Sequence, residues 1–334
     1  MIGPYNHMTM ADPTPTSTVS ADEAAETIAA DDGAPWARLV AWPLLSVAAQ
    51  RDLAVLFDFV AAVRTIADHP ALTPERKEAA LAALAAPFSP GAASAADPAA
   101  PAAAPAAPTA APTAAPTAAP TAAPTAAPTA APTAVALAGL LAARGIDTRP
   151  AWQVLQAAGQ DLRKSRYRDW SELLTWCRFG AAPVAVLGFA LLGAGADGVR
   201  KAENIGLAWQ LIEIVHRAQS HYRWLSRVYL PERWFTDARA DMDDLSFTRI
   251  SPSLGVVLGR ALDQAATLLD EGSVSGAVMP KFRSRAALAA LILEARARTR
   301  ILRRADGFAP SFVPGGFARR WIALRALIAA SRRG

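Results

Sequence analysis

Apolar residues recur at helical spacing along most of this chain. Between Arg51 and Asp68 they fall at Leu53, Leu56, Phe57, Val60, Val63 and Ala67. Steps of three and four place side chains on one helix face, so an amphipathic helix is expected there. After His69-Pro70, Thr73-Pro74-Glu75 offers an N-cap, a proline at the first helical position and an acid in the first turn. A second helix should run from there to about Ala86. The pattern resumes at Val135, with Gly145 as the expected C-cap, and predicts further helices over Leu254–Asp270 and Ser284–Arg304. The uncharged run Phe179–Ala196 contains Pro183 and several glycines. It is barely long enough to span a bilayer and reads as a buried pair of core helices. Asp241, Asp243 and Asp244 lack the spacing of a calcium loop and read as a solvated loop.

Two stretches break the pattern. Residues 1–34 are polar, acidic and rich in Ala, Pro, Thr and Asp, too poor in apolar surface to offset the entropy of ordering, and are expected to be a disordered tail. Structure is expected from about Trp36. From Pro98 to Thr133 the chain is almost purely Ala, Pro and Thr, with Pro-Thr every four residues from Pro108 to Pro132. Proline at that density blocks helix continuation and favours an extended, polyproline-like spacer.

The densest chemistry lies in Trp209–Pro231, which reads W-Q-L-I-E-I-V-H-R-A-Q-S-H-Y-R-W-L-S-R-V-Y-L-P. Leu211, Ile212, Ile214 and Val215 supply an apolar face. Glu213, Arg217 and His221 stand at i, i+4 and i+8, so one continuous helix would align them as a single ionisable stripe ending before Pro231.

Composition narrows the classes. Among the 334 residues alanine dominates the apolar half, strong helix formers abound, and no long alternating β-branched run appears. The expected fold is all-α. The single cysteine, Cys177, excludes an intrachain disulfide and CxxC metal sites, and is compatible with a reducing cytoplasm. The net charge of +5 is concentrated towards the C-terminus, but no aromatic-interleaved basic motif points to nucleic acid. No basic segment leads an apolar core at the N-terminus, so no secretory signal is read there. Phe317-Ala-Arg-Arg-Trp-Ile-Ala-Leu-Arg-Ala-Leu-Ile can form a basic amphipathic helix, to be packed on the body or laid on an anionic membrane.

Four segments in order resemble the squalene/phytoene synthase family, matching best its hydroxysqualene synthase branch. The family's second aspartate-rich helix runs roughly Q-x-x-N-x-x-x-D-x-x-x-D-Y-R, then R-V-Y-x-P; here Gln210, Tyr222, Arg223, Arg227, Val228, Tyr229 and Pro231 match. Ile66, Ala67, Asp68, His69 and Pro70 match the end of the first aspartate motif, with Phe57 for its leading tyrosine. Gln160, Asp161, Lys164, Arg166, Tyr167 and Trp170, followed by Trp176-Cys177 and Ala181–Ala185, resemble a third motif. Ala305-Asp306-Gly-Phe and the basic Trp-containing terminal helix resemble the family's end. Because the resemblance resumes after the Ala/Pro/Thr tract, residues 92–134 read as an insertion into one helical domain made of residues 35–91 and 135–330.

The resemblance implies an isoprenoid-synthase-type bundle around a central apolar cavity. There two aspartate motifs hold Mg²⁺, which grips a prenyl diphosphate such as presqualene or farnesyl diphosphate. In the hydroxysqualene branch the implied reaction adds water to give hydroxysqualene. Of the four motif aspartates this chain keeps Asp68; Arg64, Arg217 and His221 replace the others, and Glu213 replaces the asparagine. An Asp-to-Arg change reverses a charge beside the metal, and unit charges about 4 Å apart interact by roughly 4 kcal/mol at an effective dielectric near 20. Mg²⁺ binding should therefore be weakened, with Asp68 and Glu213 as the remaining candidate ligands. Arg64, Lys164, Arg166, Gln210, Arg217, Arg227 and Tyr229 are the positions implied to meet the diphosphate. Three uses fit this pattern: an enzyme that holds the diphosphate by Arg64, Arg217 and protonated His221, a non-catalytic binder of a prenyl diphosphate or pathway partner, and a silent scaffold. Arg64–Asp68 and Glu213–Arg217 are also i, i+4 pairs that can simply neutralise one another.

Overall fold

A computed structural model of the chain describes residues 45–69, 71–89, 131–272, 279–308 and 316–331. The expected N-terminal tail, the stretch around Trp36 and the insertion up to residue 130 lie outside the described residues. Eleven α-helices make up the described part, and the only β pairing among these residues is a bridge between Arg249 and Gly307.

Helix α1 (Val47–Ala67) starts earlier than its apolar pattern because Ser46 caps it, accepting from the Ala49 amide. Leu53, Leu56, Phe59, Val60, Val63, Ile66 and Ala67 are buried. In α2 (Pro74–Ala85) Thr73 caps and Pro74 opens the first turn, as its sequence demands. Helix α3 (Ala131–Arg144) begins inside the Ala/Pro/Thr tract, so residues 131–134 are helical where the insertion was expected to continue. Ala134 is fully buried and draws the helix back by that turn. Gly145 ends it at φ +64°, a left-handed conformation that glycine adopts without strain.

Helices α4 (Arg149–Asp161), α5 (Trp170–Leu191) and α6 (Ala196–His216) form the centre. Helix α5 serves two buried clusters. Its Leu173, Trp176, Cys177, Ala185 and Phe189 join α6 and the helices beyond it, while Val184, Leu187 and Leu191 join α1–α4. A helix buried on several sides must be apolar all round, which is why this one is long and apolar enough to cross a membrane although most of it is buried in the bundle. The expected pair of helices over Phe179–Ala196 is corrected here: α5 runs unbroken through Pro183, and a turn at residues 192–195 leads into α6. Packing on both sides offsets the backbone hydrogen bond that Pro183 removes.

Helix α6 leans on α5 through Gly206. A Cβ there would stand 2.7 Å from the Ala181 carbonyl oxygen and 2.9 Å from Ala185 Cβ. Gly206→Ala is therefore expected to cost about 1–3 kcal/mol by forcing the helices apart. Gly259→Ala, where an added Cβ meets nothing within 4 Å, should gain about 0.5–1 kcal/mol from helix propensity. Urea unfolding of both variants checks the contrast; equal effects would remove the close approach as its cause.

The remaining helices are α7 (Ala218–Leu225), α8 (Glu232–Ala238), α9 (Pro252–Glu271), α10 (Phe282–Leu302) and α11 (Gly316–Ser331). Helix α9 packs on α6, and α10 packs on α6, α9 and α11. The Asp241–Asp244 loop forms a 3₁₀ turn held by its own acids: Asp241 accepts from the Asp243 amide and Asp244 from the Ser251 hydroxyl.

Candidate active site

The continuous stripe expected from Glu213 to His221 does not form. Helix α6 stops at His216, Arg217 leaves helical geometry at φ −102°, ψ 9°, and α7 restarts at Ala218. The break divides the three residues. Arg217 and His221 line a cavity, whereas the Glu213 carboxylate lies against α10, 2.8 Å from Arg298 Nη1. Burial works to raise the pKa of Glu213, but the neighbouring imidazole of His216 and the charge of Arg298 outweigh it and hold the carboxyl below its ordinary range. Glu213, one of the two expected metal ligands, is thus an ionised partner of Arg298.

The cavity lies where α1, α4, α5, α6 and α7 meet. Its lining includes apolar Val60, Val63, Val154, Ala158 and Val184 and polar Arg64, Asp68, Asp161, Gln210, Arg217, His221 and Tyr229. Its volume is about 80 Å³. That lies below the roughly 300–1,000 Å³ of pockets that enclose small organic ligands.

Two carboxylates meet at its inner end, each at the C-terminus of a helix. Asp68 is the C-cap of α1, and Asp161 is the last residue of α4. Negative charge is disfavoured at helix C-termini, so each must be neutralised, by a cation or by its own proton; Arg227 is the cation at hand. Its Nη1 donates to Asp68 Oδ1 at 2.8 Å and to the Tyr229 hydroxyl at 3.0 Å, while Nη2 donates to the Asp161 carbonyl at 3.0 Å. The Tyr229 hydroxyl in turn donates to Asp161 Oδ2 at 3.1 Å. Lys77 reaches the same end of α1, donating to the Ala67 carbonyl at 3.0 Å. Burial pushes the Asp161 carboxyl up to about 7, with Arg227 and Tyr229 pulling against it. Arg227, itself buried, is held above its ordinary value; burial lowers it, but Tyr229, Asp161 and Asp68 overcome that. Aromatic rings close the floor: Trp176 lies 4.5 Å from the Tyr229 ring centre, and Tyr167 stacks on Tyr229 at 5.8 Å.

His221 meets the Tyr229 ring edge at 5.2 Å. Its pKa is driven well below the ordinary value by burial first, then by the positive charges of Arg217, Arg227 and Arg64. The expectation of a protonated His221 therefore gives way to a neutral imidazole at neutral pH.

The other expected residues separate by location. Arg64, Gln210 and Arg217 line the cavity with Asp68. Lys164 and Arg166 stand outside it: Lys164 pairs with Glu172 and covers the Tyr167 ring, and Arg166 donates to the Ser226 carbonyl at 2.6 Å. The carboxylate missed by sequence reasoning is Asp161. Its signal was present, as the acid of Gln160-Asp161, but only the fold brings it to Arg227, 66 residues on.

The oxygen donors near the cavity do not suit Mg²⁺, which wants several free carboxylate or water oxygens in octahedral array. Asp68 is closed by Arg227, Glu213 by Arg298, and Asp161 keeps its proton up to about pH 7. Arg64 and Arg217 add positive charge to the same cavity lining. Among the described residues no cluster of three or more His, Cys, Asp or Glu has metal-binding geometry.

Comparison with known proteins gives this geometry a context. The family described as squalene/phytoene synthase matches residues 36–314. Hydroxysqualene synthase of Rhodopseudomonas palustris is 31% identical over 143 residues, covering 43% of this chain and 49% of that protein. Hydroxysqualene synthase of Sinorhizobium fredii is 26% identical over 145 residues, covering 43% and 50%. The chain thus spans about half the length of these curated relatives. Among solved structures, a dehydrosqualene synthase in complex with ligand superimposes with a TM-score of 0.65 at 16% identity, covering 92% of this chain and 94% of that one. Squalene synthase HpnC from Alicyclobacillus acidocaldarius gives a TM-score of 0.61 at 20% identity, covering 85% and 93%. At these identities the structures show a shared fold.

Proposed function

The chain belongs to the squalene/phytoene synthase family, and from that premise we propose that it is a member of bacterial squalene and hopanoid biosynthesis that has lost Mg²⁺-dependent turnover and serves as a non-catalytic binding protein for a prenyl diphosphate or a pathway partner. The observation that carries this reading is the closure of Asp68 by Arg227. The one motif aspartate left is neutralised inside the protein, and guanidinium groups stand at two of the positions where family members carry aspartates. The small cavity supports the loss of turnover, since a prenyl chain would have to displace packed side chains to be enclosed; a bound prenyl diphosphate would be held by its diphosphate at Arg64 and Arg217.

A second reading keeps catalysis. Arg64, Arg217 and Gln210 line one cavity, and arginine binds phosphate oxygens in bidentate fashion without a metal. In that case Arg64 and Arg217 hold the diphosphate, the apolar lining shields the allylic carbon from water, and His221, being neutral, adds no charge.

Product analysis separates the two. The purified chain is incubated with presqualene or farnesyl diphosphate, with and without Mg²⁺, and lipids are identified by mass spectrometry. In parallel a variant carries Arg64→Asp, Arg217→Asp and His221→Asp. No product from the native chain, with diphosphate binding detected by calorimetry, is expected. Hydroxysqualene or squalene from the native chain would sink the non-catalytic reading, and formation without Mg²⁺ would establish the arginine one.

A further inference from the structure

Helix α11 leaves a stripe of large apolar side chains on its outer face. A surface helix ordinarily turns its large apolar side chains to the core and its polar ones to water. Here the fully buried residues are alanines, Ala326 at 0% and Ala330 at 1% exposed, with Ile322 and Leu327 half-buried beside them. Three other large residues face away, with Trp321 54%, Leu324 50% and Ile328 48% exposed. Positions 321, 324 and 328 form one stripe at helical spacing, opposite the alanine face. Arg325, also exposed, adjoins that stripe.

The helix is nevertheless fixed to the body. It packs along α10, and the buried Arg285 donates from Nε to the Ala330 carbonyl at 2.8 Å while Nη1 holds the Met279 carbonyl at 2.8 Å. The stripe is therefore presented by an anchored helix. Phe282, also exposed, stands at the same end of the pair, 5.7 Å from the Arg285 guanidinium.

Charge selects the occupant. Residues 307–334 contain five arginines, Arg319, Arg320, Arg325, Arg332 and Arg333, and no acidic residue. A second copy of the same segment would bring these charges against their own kind, at a cost. An anionic bilayer receives both features: tryptophan and aliphatic side chains enter the interface, and arginines near the surface are attracted by anionic headgroups. We propose that the Trp321/Leu324/Ile328 face of α11 seats this protein on an anionic lipid surface. This goes beyond the proposed function and holds whether or not the bundle turns over a substrate.

The test is co-sedimentation of the full chain with vesicles of phosphatidylcholine and of phosphatidylcholine mixed with phosphatidylglycerol. Two variants run beside it: Trp321→Ser/Leu324→Ser/Ile328→Ser and Arg325→Glu. Native protein should sediment with the mixed vesicles, and the triple variant should lose at least about tenfold in partitioning, the direction set by lost apolar insertion. Arg325→Glu should weaken binding to the mixed vesicles severalfold, and the effect should shrink as salt is raised. Because these side chains are exposed, both variants should keep the native melting temperature; if the triple variant does not, Arg325→Glu carries the test alone. No sedimentation of the native chain at low salt, or unchanged sedimentation of a folded variant, overturns the proposal. So does a lipid-free dimer, seen by sedimentation velocity, that the triple variant abolishes, since the stripe would then belong to a second copy.

Discussion

Replacing Arg227 by methionine is expected to lower the unfolding free energy by about 3–5 kcal/mol, the cost of breaking a buried ion pair from one side. The guanidinium is hydrogen-bonded to Asp68, Tyr229 and the Asp161 carbonyl, and its side chain is buried, so solvent does little to screen these interactions. Methionine fills similar space but leaves Asp68 at the C-terminus of α1 facing the helix dipole, without the guanidinium that neutralises it. Adding Asp68→Asn in the methionine background should recover part of the loss, because an amide at a helix C-terminus carries no charge to strand. The coupling energy from the four-member cycle, read by urea unfolding, should fall in the range of roughly 0.5–3 kcal/mol that contacting residues show. A methionine variant within about 1 kcal/mol of the native protein would mean that the pair does not hold α1, α4 and the Arg227 strand of chain together, and the range given for a one-sided break would not apply here.

The all-α architecture was legible because helix periodicity and caps are local. Leu53, Leu56, Val60 and Val63 mark the buried face of α1 by spacing alone, and Thr73 and Gly145 cap the helices whose ends they were expected to mark. The site was less legible because its logic is tertiary. Spacing aligned Glu213 with Arg217 and His221, yet the chain breaks at Arg217 and Arg298, from α10, reaches the Glu213 carboxylate. A straight continuation of α6 was the assumption that failed. Lys164 and Arg166 carry the right charges at family-like positions, but a neighbouring Glu172 and the carbonyl at Ser226 take them up outside the cavity. Charge type is visible in a sequence; what each charge is spent on is set by neighbours far along the chain. Asp161 shows the same limit from the other side, an acid whose proton affinity follows from burial that no local pattern reveals.

That proton affinity makes the last expectation measurable. Asp161→Asn should change the shape of the stability–pH curve. In the folded protein the Asp161 carboxyl keeps its proton up to about pH 7, against an ordinary value of 3.8. Between those values the native state binds more protons than the unfolded one, so this group's contribution is complete below pH 3.8 and is lost as pH rises through 7. The interval corresponds to roughly 4 kcal/mol before relaxation and water entry reduce it. His221 acts in the opposite sense. Burial, then Arg217, depress its folded pKa below the ordinary 6.5, so its contribution is present above 6.5 and lost as pH falls through the folded value. The two oppose each other below 6.5, down to the depressed folded value of His221, and Asp161 acts alone between 6.5 and about 7. Melting temperatures from pH 4 to 8 should therefore show, for Asp161→Asn, a rise that levels off above 6.5, where the native protein loses stability. Asparagine still accepts the Tyr229 hydrogen bond, so the comparison isolates the charge. Superimposable curves would remove Asp161 as a buried titrating group. A difference of the expected sign would explain how one guanidinium serves two carboxyl groups: Asp68 takes the ion pair, and Asp161, held protonated at the bottom of the cavity, has no charge to offer a divalent ion.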